Sequence, residues 1–158
     1  VDSLKELNMH RKVQLIVSGG IRSGADVAKA MAMGADAVSI GSAAMIALNC
    51  NADMYPEDYE KLGTAAGYCH HCHTGKCPVG VATQDPELEK RLEPELAGKR
   101  VKNYLATLTL ELQTLARANG KSDVRNLEPE DLAALTVEAA AMARVPLAGT
   151  NWIPGHEL

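Results

Sequence analysis

The chain has 158 residues and a mass of 16.8 kDa, a length suited to one compact domain. Hydrophobic residues make up 46% and charged residues 23%, the balance of a globular chain rather than a disordered one. With no Phe, one Trp, four Tyr, a net charge of −4 and no Lys/Arg cluster, the core must be aliphatic, and the sequence offers no nucleic-acid-binding surface.

Val1 to Arg11 lacks the apolar stretch of a signal peptide, and no apolar run approaches the roughly 18 residues of a membrane span. A cytoplasmic location and no membrane partner are expected. The first residue is Val rather than Met, which suggests a piece of something longer. Val13 to Val17, VQLIV, is rich in β-branched residues, ends at Ser18, Gly19 and Gly20, and predicts a buried parallel strand. Ser23 can cap a helix carrying Val27, Ala28, Met31 and Ala32 at helical spacing, with Gly34 closing it. Ala35 to Ile40 predicts a second strand, stopping at Gly41 and Ser42, and Ala43 to Leu48 a short helix. Strand, glycine turn and helix, twice over, is the alternation of an α/β fold with a parallel sheet.

From Asn49 to Asp85 periodicity is lost, and this stretch holds all four Cys together with His70, His71 and His73. It reads as a loop organised by something other than a core. Pro94 to Ala118 then predicts a long amphipathic helix, with Leu96, Val101, Leu105, Leu108, Leu112 and Leu115 on its packing face and Asn119–Gly120 at its end. Asn126 to Val145 predicts another, with Pro129 and the acids Glu128, Glu130 and Asp131 in its first turn. The tail from Pro146 to Leu158 shows no pattern.

Two features can carry chemistry. The turns at Ser18, Gly19, Gly20 and at Gly41, Ser42 each follow a strand and lead into a helix, where glycine lets backbone N–H groups approach a phosphate without a Cβ in the way. Arg22 could pair with that phosphate or form a surface salt bridge. The second feature is sharper. Cys69, Cys72 and Cys77 stand as CxxCxxxxC in YCHHCHTGKCP, with Cys50 upstream. Thiolates so spaced can converge on one metal centre, and a Cys-Pro ending suits an iron–sulfur cluster; zinc competes, because His70, His71 and His73 lie among the thiols. Lys76 could donate to a reduced cluster or simply be solvated.

Taken together, VSGGIRSGADVAKAMAMGADAVSIGSAAMIALNC and CHTGKCPVGVATQDPEL resemble the flavin and iron–sulfur domain of glutamate synthases, over Val13 to Leu88 or a little under half the chain. NLEPEDL and ARVPLAGTNWIPG are similar to the shorter glutamate-synthase-like proteins, which include a subunit of N-methylglutamate synthase (methylamine–glutamate N-methyltransferase).

The resemblance implies the C-terminal part of a (β/α)₈ barrel, about strands seven and eight, binding FMN and a 3Fe–4S cluster. By residue, Gly19, Gly20, Gly41 and Ser42 would hold the FMN phosphate, with Ser18 and Arg22 beside them, and Cys72 and Cys77 would be cluster ligands. In the family the first ligand directly follows the phrase that here ends at Cys50. Here 21 residues separate Cys50 from Cys72, a longer stretch than the family has, and Cys69 is inserted among them. Either Cys50 closes the site, or Cys69 replaces it, or all four bind a 4Fe–4S cluster. The implied domains are 1–49, the last two strand–helix units; 50–85, the cluster loop; and 86–158, a helical extension. A whole barrel needs about 250 residues, so this chain by itself would be incomplete and inactive, with its catalytic residues mostly elsewhere.

The implied reaction forms glutamate from 2-oxoglutarate and glutamine-derived ammonia through 2-iminoglutarate, reduced by FMN with electrons passed through the cluster. A glutaminase, an electron-donor subunit or domain, and an oligomer are expected as partners. The N-methylglutamate relative would place methylamine on the same skeleton. A rival of another class is a non-catalytic zinc- or cluster-binding module that docks through the leucine-faced helix. A barrel dehydrogenase using a nucleotide monophosphate would share the glycine turns but present a single catalytic Cys.

Overall fold

The computed structural model describes residues 1–10 and 12–155. Arg11, at the end of the N-terminal stretch, and the last three residues of the unpatterned tail lie outside the described residues. In chain order the elements are α1 (Asp2–Glu6), β1 (Ile16–Ser18), α2 (Gly24–Ala32), β2 (Ala37–Ser39), α3 (Ser42–Ala47), α4 (Pro56–Lys61), α5 (Pro86–Glu89), α6 (Pro94–Ala118) and α7 (Val137–Ala143). Single 3₁₀ turns occupy Cys72–Thr74, Val124–Asn126 and Pro129–Asp131. The architecture is α/β, mostly helical, with a small parallel sheet. No helix among the described residues is long and apolar enough to cross a membrane. The chain divides into two compact units, residues 1–40 with 108–158, and residues 41–107.

In the first unit β1 and β2 pair in parallel, Ile16 opposite Ala37, Val17 opposite Val38 and Ser18 opposite Ser39. The Asp36 carboxylate accepts from the Leu15 N–H at 2.7 Å just ahead of the pair. The strands are not buried on both faces as their sequences predict. Val17 and Val38 are half-buried, Val38 against the α2 core, while their neighbours are exposed and Ile16 keeps 65% of its surface. Two strands with helix on one side leave the other face to solvent.

Helix α2 starts where the Ser23 hydroxyl accepts from the Asp26 N–H, and it ends before Gly34, whose φ of +98° requires glycine. Its buried face, Val27, Ala28 and Ala32, packs with Leu112, Ala116 and Leu127. The approach to α6 is close at Gly24. A Cβ there would stand 2.6 Å from the Leu112 backbone nitrogen, and the Gly24 N–H donates to the Glu111 carboxylate at 2.7 Å. Helix α6 keeps the predicted bounds, but its contact stripe differs. Ala97, Leu112 and Ala116 are buried, whereas Leu96 and Leu105 keep 43% and 40% of their surface. Close packing favoured alanine over the larger leucines beside it.

The predicted helix from Asn126 to Val145 is absent. Leu132 is extended, with φ −109° and ψ 147°, and the Ala134 N–H donates to the Pro146 carbonyl at 2.8 Å while its own carbonyl accepts from Ala148 at 2.8 Å. Bonded to the tail, this stretch cannot also form a helix, which begins afresh at α7, capped by Thr136. Ala134, Ala140 and Val145 close a small core beneath it, so the tail is partly structured.

In the second unit, the stretch from Asn49 to Asp85 has a core of its own, contrary to the expectation of a coreless loop. Tyr59 of α4, Cys77 and Val79 are buried, with Ala52, Tyr55, Ala66, Cys69, Val81 and Ala82 packed around them.

The α2 start generates two expected outcomes, read by denaturant unfolding. Ser23→Ala is expected to cost about 1 kcal/mol, and Gly24→Ala about 1–3 kcal/mol because the α6 backbone blocks the new carbon. The Asp26 carboxyl is held down from 3.8 to about 2 by hydrogen bonds from Lys29 and from the Arg22 N–H. Its contribution is therefore complete above pH 3.8 and lost as pH falls towards 2. Asp26→Asn is expected to flatten stability against pH in that window.

Candidate functional site

The four thiols are all free, Cys77 buried, Cys50 and Cys69 half-buried and Cys72 exposed. Cys50 lies just beyond α3, its N–H donating to the Met45 carbonyl at 2.9 Å. Asn49 and Asn51 on either side have φ of +93° and +62°, a left-handed region that Asn enters more readily than most residues. The chain bends sharply around the thiol.

Asn51 joins two of the cysteines. Its Oδ1 accepts from the Cys69 N–H at 2.8 Å, its Nδ2 donates to the Cys69 carbonyl at 3.2 Å, and the same Nδ2 lies 3.7 Å from Cys50 Sγ. Cys72 opens the 3₁₀ turn that the Thr74 hydroxyl stitches, donating to the His71 carbonyl at 2.7 Å and accepting from the Lys76 N–H at 3.2 Å. The Thr83 hydroxyl donates to the Gly75 carbonyl and accepts from the Asp85 N–H. Cys77 begins a buried turn that ends at Gly80, where a Cβ would run into the Leu88 carbonyl.

The electrostatics follow from this crowding. Burial pushes the Cys50 thiol up from its ordinary value, and negative charge on Cys72, Cys77 and Cys69 pushes it further. The Tyr59 phenol is pushed up to about 12, by burial first and then by Cys69, Cys50 and Cys77. Charge on the other three sulfurs therefore opposes ionisation of Cys50, and a bound cation would relieve that opposition. Among the described residues no three His, Cys, Asp or Glu donors surround one point closely enough for a single metal ion. Four thiolates are a donor set that an iron–sulfur cluster takes, and thiolates with neighbouring imidazoles one that zinc takes. His70 and His71 stack at 4.6 Å, and His71 and His73 at 6.2 Å, beside the thiols.

The glycine turns stand at the carboxyl ends of the two strands. Gly19 and Gly20 have φ of +103° and +71°, and no heavy atom lies within 4 Å of where a Cβ would be, so backbone conformation rather than packing requires glycine. Arg22 is exposed, and its N–H donates to the Asp26 carboxylate at 3.1 Å. Ser18, Gly19, Gly20 and Arg22 belong to the first unit, while Gly41 and Ser42 are the first residues of the second. Gly41 is the cap position of α3 and Ser42 its first residue.

Sequence reasoning missed Asn51 and Tyr59. The NCN phrase at Asn49–Asn51 was a signal for the bend, since Asn is enriched at positive φ. Tyr59, an aromatic residue inside PEDYEK, was a signal for a local core.

Comparison with known proteins gives a consistent set of matches. A family model described as a conserved region in glutamate synthase matches residues 1–122. A glutamate synthase large subunit-like protein of Rhizobium meliloti (strain 1021) is 64% identical over 98% of this chain and 35% of its own length. An archaeal glutamate synthase (NADPH) of Methanocaldococcus jannaschii is 43% identical over 78% of this chain and 21% of its own. A ferredoxin-dependent glutamate synthase of Cyanidium caldarium is 37% identical over 78% of this chain and 7% of its own. The chain spans about a third or less of the length of these relatives.

Tyr59→Phe removes only the bond to the Ala52 carbonyl, 3.1 Å long, and is expected to cost about 1 kcal/mol. Tyr59→Ala empties the centre of the small core and is expected to cost about 3–5 kcal/mol, both measured by chemical unfolding.

Proposed function

From the membership of this chain in the glutamate synthase family, we propose that it is a fragment of an FMN- and iron–sulfur-dependent enzyme forming glutamate from 2-oxoglutarate and glutamine-derived ammonia. The observation that carries the proposal is the gathering of Cys50, Cys69, Cys72 and Cys77, four free thiols, in one compact unit, with Asn51 bonded to the Cys69 main chain and 3.7 Å from Cys50 Sγ. In this reading residues 1–49 are the last two strand–helix units of a (β/α)₈ barrel, 50–85 the cluster loop and 86–158 a helical extension. The parallel pairing of β1 with β2, each followed by a glycine turn and a helix, supports the barrel.

When bound, FMN supplies a hydride equivalent and the cluster single electrons, which reductive amination of a 2-oxo acid needs. This chain's residues bind, orient and shield. Backbone N–H groups of Gly19, Gly20 and Gly41, with the Ser42 hydroxyl and Arg22, would hold the FMN phosphate, and Ser18 would shape the first turn. Cys72 and Cys77 would each take an iron of a 3Fe–4S cluster, with Cys50 or Cys69 as the third ligand, or all four would hold a 4Fe–4S cluster. Tyr59 and Val79 exclude water behind Cys77, and Asn51 keeps Cys69 beside Cys50. A glutaminase and an electron donor, as subunits or domains, would complete the enzyme in a cytoplasmic oligomer.

A second reading is favoured by the C-terminal segment. The family model ends at residue 122, whereas the Rhizobium relative matches 98% of the chain. In this second reading the enzyme uses methylamine and forms N-methylglutamate. The steady-state rate of the full-length protein with glutamine, ammonium or methylamine separates the two.

The test of the cofactor proposal is composition. Full-length protein purified without oxygen is expected to carry iron, acid-labile sulfide and a yellow flavin chromophore; colourless protein containing zinc would replace the proposal with a non-catalytic zinc module. Cys72→Ser and Cys77→Ser are each expected to abolish iron retention. Asn51→Ala is expected to lower iron per chain while the protein remains folded, and full retention would remove Asn51 from the site.

A further inference from the structure

Arg91 stands two residues beyond α5, its N–H donating to the Leu88 carbonyl at 3.0 Å. Its side chain turns back onto the cysteine loop. Nη1 carries two N–H groups and spends one on each of two acceptors, the Pro78 carbonyl at 2.8 Å and Asp58 Oδ2 at 2.7 Å. The guanidinium carbon also lies 4.2 Å from the centre of the Tyr55 ring. Helix α4 with Tyr55 ahead of it, the Cys77–Gly80 turn and the end of α5 therefore meet on one side chain.

The geometry is demanding in each part. Pro78 is less than 2% exposed, so its carbonyl needs a donor from within the protein. The Arg91 and Asp58 side chains are 25% and 28% exposed, which protects their pairing from full solvent screening. Lys61, 2.9 Å from Asp58, joins Arg91 in holding that carboxyl below its ordinary range, so the clamp is charged. A lysine could keep the charge but could not supply a planar group that stacks on Tyr55 while bonding two acceptors.

We infer that Arg91 is a positioning residue for Cys77: it clamps the main chain one residue beyond the thiol and so sets where the Cys77 sulfur stands. The inference rests on the cluster proposal only where iron is read; the thiol itself can be followed without it. Pro78 couples the two ends, because its ring limits the torsion between the clamped carbonyl and Cys77.

The test uses full-length protein and the variants Arg91→Lys, Arg91→Met and Asp58→Asn. In the reduced, iron-free protein, alkylation of Cys77 is measured against exposed Cys72 in the same chain by peptide mass spectrometry. Cys77 is expected to react about tenfold faster relative to Cys72 in Arg91→Lys, with the same direction in Asp58→Asn. In iron-loaded protein, Arg91→Lys is expected to shift the midpoint potential and the electron paramagnetic resonance line shape. Wild-type thiol ratios in all three variants overturn the inference, even where the melting temperature falls, because Arg91 would then be merely structural. A wild-type protein without iron defeats the cluster proposal alone, and the thiol ratio then decides the clamp.

Discussion

Four free thiols share one irregular stretch, where burial and negative charge on Cys72, Cys77 and Cys69 oppose ionisation of Cys50, and the second unit holds the main chain around them. Regular secondary structure does little of the holding. Asn51, Thr74 and Thr83 fasten the main chain on either side of the cysteines by hydrogen bonds to backbone groups, which a loop has in surplus. Behind them Tyr59 and Val79 form a dry wall against Cys77. Backbone pinning sets positions, and the apolar wall sets how strongly the sulfur charges are felt, because burial weakens screening.

The grading of the four thiols has a chemical meaning. Cys77 sits in the apolar centre with Cys69 packed against it, Cys50 is half-buried and Cys72 is exposed. A centre assembled from such a set would be anchored from within and approached from the Cys72 side, where His70, His71 and His73 stack.

In the first unit the limiting interaction is steric. Gly24 lets α2 press against α6 so closely that the α6 backbone leaves no room for a side chain there, and Glu111 from α6 serves the N-terminus of α2. The sheet gains one covered face from this packing. The outward residues Ile16, Ser18, Ala37 and Ser39 remain exposed.

Local chemistry made a good part of this legible in the sequence. The strand, glycine turn and helix alternation, the cap at Ser23, the long helix Pro94–Ala118 and the gathering of cysteines all rest on interactions between residues close together in the chain, and each leaves a spacing or a residue type behind. The α7 region did not, because the bonds from Ala134 to Pro146 and Ala148 come from the tail and outbid the helical propensity of an alanine-rich stretch. Nor did the buried stripe of α6, since shape at a contact decides between Ala97 and Leu96 where hydrophobicity alone would choose leucine. The family was written in the residues themselves. How Asn51 reaches Cys69, how Tyr59 underlies the thiols and how Arg91 reaches Pro78 were decided by tertiary structure, because partners separated by 18 residues or more in most of these contacts share no period that a sequence could display.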